Sequence, residues 1–346
     1  MSTTSVSALP APLVDGAQSR RAAIRPVLLE SRRVKLSVAT SGFCNARCEL
    51  CVWPFMRHDP RIMSNDDFSR LLEMFRGYRV DKFAFNIINE PFVDKRVGEK
   101  VTLLAESGLR VKNLFFSSNW LIPSTTAVEA FARVVARTAA PRMKRVVINA
   151  TVCGVDQASY DRYQGGRDLQ DTVSPYRSLD FERAVGNVTC FMHALRDLGW
   201  PANVMMNLKA YGETLDQVTY AAFWRRRLSE VGLGDTLTGE RVQVLHNHAF
   251  TTFARHESAA ERTRSGVCKA GWLDARLAVG PGGDVGLCCE DGLSGISLGN
   301  LLEQGLDGVI GTSSYQRYLA EVLGQAAPSP DSPCVRCQFF DTVEAS

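Results

Sequence analysis

Three cysteines within eight residues, Cys44, Cys48 and Cys51, constrain this chain more than any other feature. They share one short loop, Cys44-Asn-Ala-Arg-Cys48-Glu-Leu-Cys51, at CxxxCxxC spacing. Just upstream, Val34, Leu36 and Val38 alternate with polar neighbours, which predicts a β-strand over 34–40. Just downstream, Ser64 precedes an amphipathic run through Phe68, Leu71 and Leu72, which predicts a capped helix over 65–77. The thiols therefore crown the C-terminal end of a strand, the edge at which α/β folds place their chemistry. Three thiolates on one loop suit an iron–sulfur cluster or zinc. Zinc usually takes four ligands, often as two separated pairs. Three thiolates on a four-iron cube leave one iron open to a small molecule. The third reading, thiols packed as small hydrophobes, does not account for such regular spacing.

The rest of the chain narrows the setting. With 346 residues, 45% of them hydrophobic, it can bury a sizeable core and a smaller second unit. A net charge of +3, from 40 basic and 37 acidic residues, argues against nucleic-acid and membrane partners. The densest basic run, Arg225-Arg226-Arg227, reads as a solvated helix face. No apolar run approaches a membrane span and no secretory leader pattern opens the chain, so a soluble, cytoplasmic protein is expected. Ten cysteines in such a chain point to metal rather than disulfides.

Residues 1–32 read as a flexible tail, too short for a separate peptide-recognition domain. From 33 to about 250, strand-like and helix-like runs alternate, the pattern of a parallel α/β sheet or barrel. The strands fall at 34–40, 82–88, 114–118, 145–152, 203–210 and 241–245, and the helices at 65–77, 93–107, 126–138, 181–198 and 215–231.

Each strand's C-terminal end should face the site. The second strand ends Asn89-Glu90-Pro91, with Pro91 suited to open a turn or helix. The third ends Ser117-Ser118-Asn119-Trp120, where the Trp either lines the pocket or packs under the loop. The fourth ends at Cys153, either a hydrogen-atom donor at the mouth of the site or a buried inert thiol. Residues 164–180 lack apolar periodicity and are expected to form a lid. The fifth strand carries Asn207 and Lys209, the latter either an anion partner or a snorkelling lysine. The sixth ends His246-Asn-His248, two imidazoles placed as bases or as hydrogen-bonded loop residues.

Beyond residue 256 the pattern changes. Cys268, a hairpin turn Pro281-Gly-Gly-Asp284, the pair Cys288-Cys289, a helix near 313–323 and Cys334-Val-Arg-Cys337 follow one another. Four converging thiolates would ligate a further cluster, with zinc as the alternative.

These motifs resemble the radical S-adenosylmethionine (SAM) superfamily. The resemblance implies a partial (β/α)6 TIM-like barrel over residues 33–255, with Cys44, Cys48 and Cys51 on a [4Fe–4S] cluster. SAM would chelate the fourth iron, and an electron from a donor such as flavodoxin or ferredoxin would split it into methionine and a 5′-deoxyadenosyl radical. Asn89, Glu90 and Pro91 stand where the family has Gly-Glu-Pro against SAM's amino group. Ser117, Ser118 and Asn119 stand where polar residues serve its ribose or carboxylate, and Asn207 and Lys209 join this set. Asn89 and Trp120 replace glycines of the family pattern, and Cys153 replaces an aspartate.

Residues 256–346 resemble the twitch domain, the short form of the SPASM extension: a small β-hairpin-plus-helix unit around an auxiliary [4Fe–4S] cluster. In it Cys268, Cys288, Cys334 and Cys337 are the ligands, and Cys289 competes with Cys288 for one place. The pattern is similar to that of 2-deoxy-scyllo-inosamine dehydrogenases from antibiotic pathways. This implies oxidation of a carbinol carbon in a small, polyhydroxylated aminocyclitol, aminoglycoside or sugar-like substrate, with His246 or His248 as base and the auxiliary cluster as electron acceptor. Epimerisation, with Cys153 or Cys289 giving a hydrogen atom, is the second expectation. Decarboxylation and peptide modification are further radical outcomes, and a zinc-structured binding protein is the non-enzymatic one.

Overall fold

The computed structural model describes residues 23–48, 51, 53, 59–165, 179–211, 215–238, 241–247, 266–288, 291, 295–337 and 340–342. A short helix α1 (Val27–Ser31) leads into β1 (Arg33–Val38). Helix α2 (Asn65–Met74) begins where sequence placed it, because Ser64 caps it by accepting from Asp67 N at 2.9 Å. Its buried face is Phe68, Leu71 and Leu72.

Next come β2 (Arg79–Ala84), α3 (Val97–Glu106), a two-residue side strand β3 (Arg110–Val111), and β4 (Asn113–Ser118). Helix α4 (Thr125–Val134), β5 (Arg145–Thr151), α5 (Gln157–Tyr160), α6 (Phe181–Asp197), β6 (Val204–Tyr211), α7 (Gln217–Glu230) and β7 (Val242–Asn247) complete this part. Strands β1, β2, β4, β5, β6 and β7 are parallel neighbours in that order. This is the expected six-stranded α/β array.

Among the boundaries that differ from the sequence reading, two lie next to the site. The second strand ends at Ala84, not 88. Beyond it Asn89 Oδ1 accepts from Ile87 N at 3.0 Å, a local side-chain turn that competes with the ladder. The next helix starts at Val97 rather than 93, because Pro91–Val93 forms a 3-10 turn first.

The C-terminal segment comprises β8 (Gly266–Cys268), β9 (Arg276–Val279), β10 (Asp284–Gly286), β11 (Ser297–Asn300), helices α8 (Leu301–Ile310) and α9 (Ser313–Val322), and β12 (Phe340–Thr342). The expected hairpin joins β9 to β10, with Gly283 at φ +89° in its turn. Strand β9 also pairs in parallel with β1, Leu36 opposite Leu277 and Val38 opposite Val279. The barrel sheet therefore runs on through β9, β10 and β11. Strand β12 pairs antiparallel with β8 apart from it.

The helix-facing side of the sheet is apolar, with an aromatic seam from Phe83 through Phe85, Phe116 and Phe131 to Phe191. Among the described residues, no helix is long and apolar enough to cross a membrane.

Candidate active site

The cysteine loop and the C-terminal ends of β2, β4 and β5 enclose a cavity of about 840 Å³ counted out to its mouth. Cys44, Cys48 and Cys51 line it, together with Asn89, Glu90, Ser117, Ser118, Asn119 and Cys153. With Tyr211 at the end of β6, residues drawn from five strand ends thus meet at one place.

The loop is held from both sides. Gly42 N donates to Arg61 O at 3.2 Å, and Ser41 bridges Ile62. A Cβ on Gly42 would stand 1.9 Å from Asp59 O, so the returning chain requires glycine there. Ala46 N donates to Cys44 Sγ at 3.5 Å and Trp53 N to Cys51 Sγ at 3.4 Å. Asn119 Nδ2 donates to Asn45 Oδ1 at 2.7 Å, which ties the loop to the end of β4.

Glu90 is the hub of this corner. Its Oε1 accepts from Ser118 Oγ at 2.8 Å and Phe92 N at 3.0 Å, and its Oε2 accepts from Asn119 N at 2.8 Å. Its own N donates to Phe43 O at 2.9 Å. Burial pushes the carboxyl up to about 7, against the pull of those three donors. Pro91 is buried at the start of the 3-10 turn.

Burial also raises every thiol here. Cys51 is pushed up to about 11 and Cys153 to about 12. Cys44 is raised by burial and then by the Glu90 carboxylate. Cys48 is raised by burial and then by Cys153, Cys51 and Cys44. A cation held by Cys44, Cys48 and Cys51 reverses that balance and takes the protons off those three. Asn86 Oδ1 and Asn89 Nδ2 are buried beside the thiols with no hydrogen-bond partner. One acceptor and one donor so placed fit a ligand bearing both, as the amino-acid end of SAM does.

Below the cavity, three polar side chains stand at one register level of β4, β5 and β6. Asn207 Nδ2 donates to Asn149 Oδ1 and Asn149 Nδ2 to Ser117 Oγ, both at 2.8 Å. Asn207 Oδ1 is buried and unpartnered. Asn207 and Lys209 do not themselves line the cavity, but Tyr211, next along the same face, does. Burial pushes the Lys209 ammonium below its ordinary value, and the Nζ lies 5.8 Å from the Tyr211 ring centre.

Trp120 packs under its loop rather than lining the cavity. It is wholly buried, 5.5 Å from the Phe92 ring and 4.9 Å from Phe191. His246 lies in β7 opposite Ala210, with its side chain outside the described residues. His248, Cys289 and residues 166–178 of the expected lid also lie outside the described residues.

The second cysteine set is assembled by the C-terminal strands. Cys268 ends β8 and faces Phe340 of β12 across the ladder, three residues beyond Cys337. Cys334 sits in the 3-10 turn Pro333–Arg336, and Cys337 N donates to Cys334 O at 3.3 Å. Burial pushes Cys334 up to about 12, and the thiols of Cys337 and Cys268 push the same way. Cys288 lies two residues past β10. Among the described residues, no three Cys, His, Asp or Glu side chains close on a single metal-ion position.

Residues 268–338 match the SPASM family model, an iron–sulfur cluster-binding domain. The solved structures add the rest of the chain. SuiB of Streptococcus suis bound to S-adenosylmethionine is similar at 13% identity and a TM-score of 0.54, over 89% of this chain and 71% of that one. SuiB bound to the precursor peptide SuiA is similar at 12% identity and a TM-score of 0.54, over 90% and 72%. This is the radical SAM fold with a SPASM domain. BtrN in complex with AdoMet and 2-DOIA also matches, at 11% identity and a TM-score of 0.47, over 85% and 88%. No curated protein matches the sequence.

In this radical SAM fold three supporting residues escaped the sequence reading. Asn45 and Asn149 carry no local mark of their roles, since their partners lie 74 and 32 or more residues away. Gln164 is wholly buried and clamps three segments. Its Oε1 accepts from Cys153 N at 2.9 Å, its Nε2 donates to Thr151 O at 3.1 Å, and its backbone O accepts from Arg47 N at 3.1 Å. A polar residue in a Tyr- and Gly-rich run was the only hint of it.

Proposed function

We propose that this chain is a radical SAM oxidoreductase that converts a secondary alcohol of a small, hydroxyl-rich molecule into a ketone. Aminocyclitols, aminoglycosides and sugar-like intermediates of natural-product biosynthesis are the substrate class. The observation that carries this reading is the polar floor of the site. Asn86, Asn89, Ser117, Ser118, Asn119 and Thr151 place polar side chains along the cavity, and behind Ser117 the Asn149–Asn207 pair ends in a buried acceptor without a partner, Asn207 Oδ1. Such a lining suits a ligand with several hydroxyl donors, because a site with buried unpaired acceptors rejects analogues that lack them.

Cys44, Cys48 and Cys51 would hold a [4Fe–4S] cluster, with Asn89, Glu90, Ser117, Ser118 and Asn119 around SAM. Cys268, Cys288, Cys334 and Cys337 would hold the auxiliary [4Fe–4S] cluster. Bound there, the groups supply a 5′-deoxyadenosyl radical for hydrogen-atom abstraction and an acceptor for the electron that follows.

The protein's part is orientation and proton removal. The Asn207–Asn149 pair, behind the cavity wall, holds the Ser117 hydroxyl in place where SAM and the substrate meet. His246 or His248 is the proposed base that takes the hydroxyl proton. Loss of one hydrogen atom, one proton and one electron makes the two-electron oxidation. Glu90 and Asn119 keep the cysteine loop and the end of β4 together while this happens.

Epimerisation is the second reading, and one observation favours it. Cys153 lines the same cavity, and burial pushes its thiol up to about 12, which favours S–H at neutral pH. A neutral thiol there can return a hydrogen atom to a carbon radical. The test uses the anaerobically reconstituted full chain, reduced flavodoxin, SAM and 2-deoxy-scyllo-inosamine as probe. Ketone and 5′-deoxyadenosine in equal amounts, unchanged in Cys153→Ala, are expected. Deuterium from solvent at the reacting carbon, with no change in substrate redox state, would reject oxidation in favour of epimerisation.

A further inference from the structure

Helix α9 ends between the two halves of the C-terminal cysteine set. On one side, a Cβ on Gly324 would stand 2.9 Å from Gly266 O, two residues before Cys268 in β8. On the other side, Glu321, in the last turn of α9, reaches the loop that carries Cys334. Its Oε1 accepts from Ser329 Oγ at 2.7 Å and Ser329 N at 3.2 Å. Ser332 N donates to Ser329 O at 2.8 Å, and Cys334 N donates to Ser332 Oγ at 3.3 Å. A continuous polar path therefore runs from Glu321 to the closing CxxC.

Glu321 is 2% exposed, and its Oε2 has no hydrogen-bond partner. The neighbouring cation on the helix, Arg317, is engaged with Asp331 at 3.2 Å and with Tyr318 Oη at 2.5 Å. Burying a carboxylate oxygen without a partner costs free energy that holding Ser329 alone, a task for one oxygen, does not require.

We propose that Glu321 is a positioning residue that sets the CxxC loop and, through its unpaired oxygen, lowers the reduction potential of the cluster bound there. The proposal rests on the reading of Cys268, Cys288, Cys334 and Cys337 as cluster ligands. A fixed negative charge in a low-dielectric setting disfavours the reduced, more negative cluster, so the potential falls.

The test uses the full chain carrying Cys44→Ala, Cys48→Ala and Cys51→Ala, reconstituted anaerobically so that one centre remains. Its midpoint potential is read by electron paramagnetic resonance in a redox titration, with iron per chain measured alongside. Glu321→Gln keeps an acceptor for Ser329 and removes the charge. Its midpoint is expected to move positive at unchanged iron content. Ser329→Ala leaves the charge and removes a donor from it, so its midpoint is expected to move negative. An unchanged midpoint in either variant overturns the tuning role, as does loss of iron from Glu321→Gln alone. Absence of iron in the parent overturns the ligand reading itself, a distinct result.

Discussion

Trp120 holds φ at +61°, a backbone region that glycine adopts freely and a bulky residue does not. Such a conformation costs on the order of 1–3 kcal/mol. It persists because the indole fills the space between Phe92 and Phe191, while Asn187 Nδ2 donates to the Trp120 carbonyl at 2.7 Å. Truncating a buried Trp costs about 3–5 kcal/mol, so packing outweighs strain. Trp120→Gly is therefore expected to lose about 2 kcal/mol net in urea denaturation. A variant as stable as the parent would mean that the strain dominates. The residue-level reading saw that Trp120 replaces a glycine and left its fate open between pocket and packing. A single position does not reveal its contacts. Phe191 lies 71 positions further along the chain, and only the fold brings it near.

The joint between β2 and α3 turns on a buried ion pair. Lys100 Nζ of α3 meets Asp94 Oδ2 at 2.6 Å with both side chains almost fully buried, and Asp94 Oδ1 accepts from Arg96 N at 3.0 Å. Asp94 closes the 3-10 turn that begins at Pro91, next to Glu90, so the pair fixes the angle at which Glu90 enters the cavity. Removing one partner of such a pair leaves an uncompensated charge, at a cost of about 3–5 kcal/mol. Lys100→Met is expected to lose that much in urea denaturation, and Asp94→Asn combined with Lys100→Met to recover most of it. A single variant within 1 kcal/mol of the parent, on the scale of an exposed pair, would show that the pair carries little. At this scale the sequence was informative. Period-two and period-3.6 patterns marked the six parallel strands and the helices between them, because each element's apolar face is a local property. The end of β2 was misplaced because Asn89 turns the chain with its own side chain. The Ser117–Asn149–Asn207 row stayed hidden because parallel neighbours are separated by a helix, and their register is set by packing.

The whole molecule is organised by a pairing that no local pattern announces. Residues 276–279 join 35–38 as a parallel neighbour, so the hairpin of the SPASM segment continues the barrel sheet. The CxxxCxxC and CxxC spacings were readable because each is written within one short loop. Their connection was not, because β9 and β1 lie some 240 positions apart and are each short. Arg61 spans the same seam. Its guanidinium meets Asp59 at 2.8 Å and Asp284 at 3.2 Å, and it lies over Gly282, where a Cβ would stand 2.2 Å from it. Being more than half exposed, the Arg61 pairs contribute about 0–1 kcal/mol, so the backbone ladder and the buried Leu277 and Val279 dominate the joint. A chain ended at residue 255 loses that ladder and exposes β1 as an unpaired edge with its apolar neighbours uncovered. Such an edge pairs with other chains. The shortened chain is expected to elute as aggregate in size-exclusion chromatography, while Arg61→Ala in the full chain elutes and melts like the parent. If the shortened chain instead elutes as one species and unfolds cooperatively, the barrel is complete without β9, and the SPASM segment is an appendage rather than part of the sheet that builds the site.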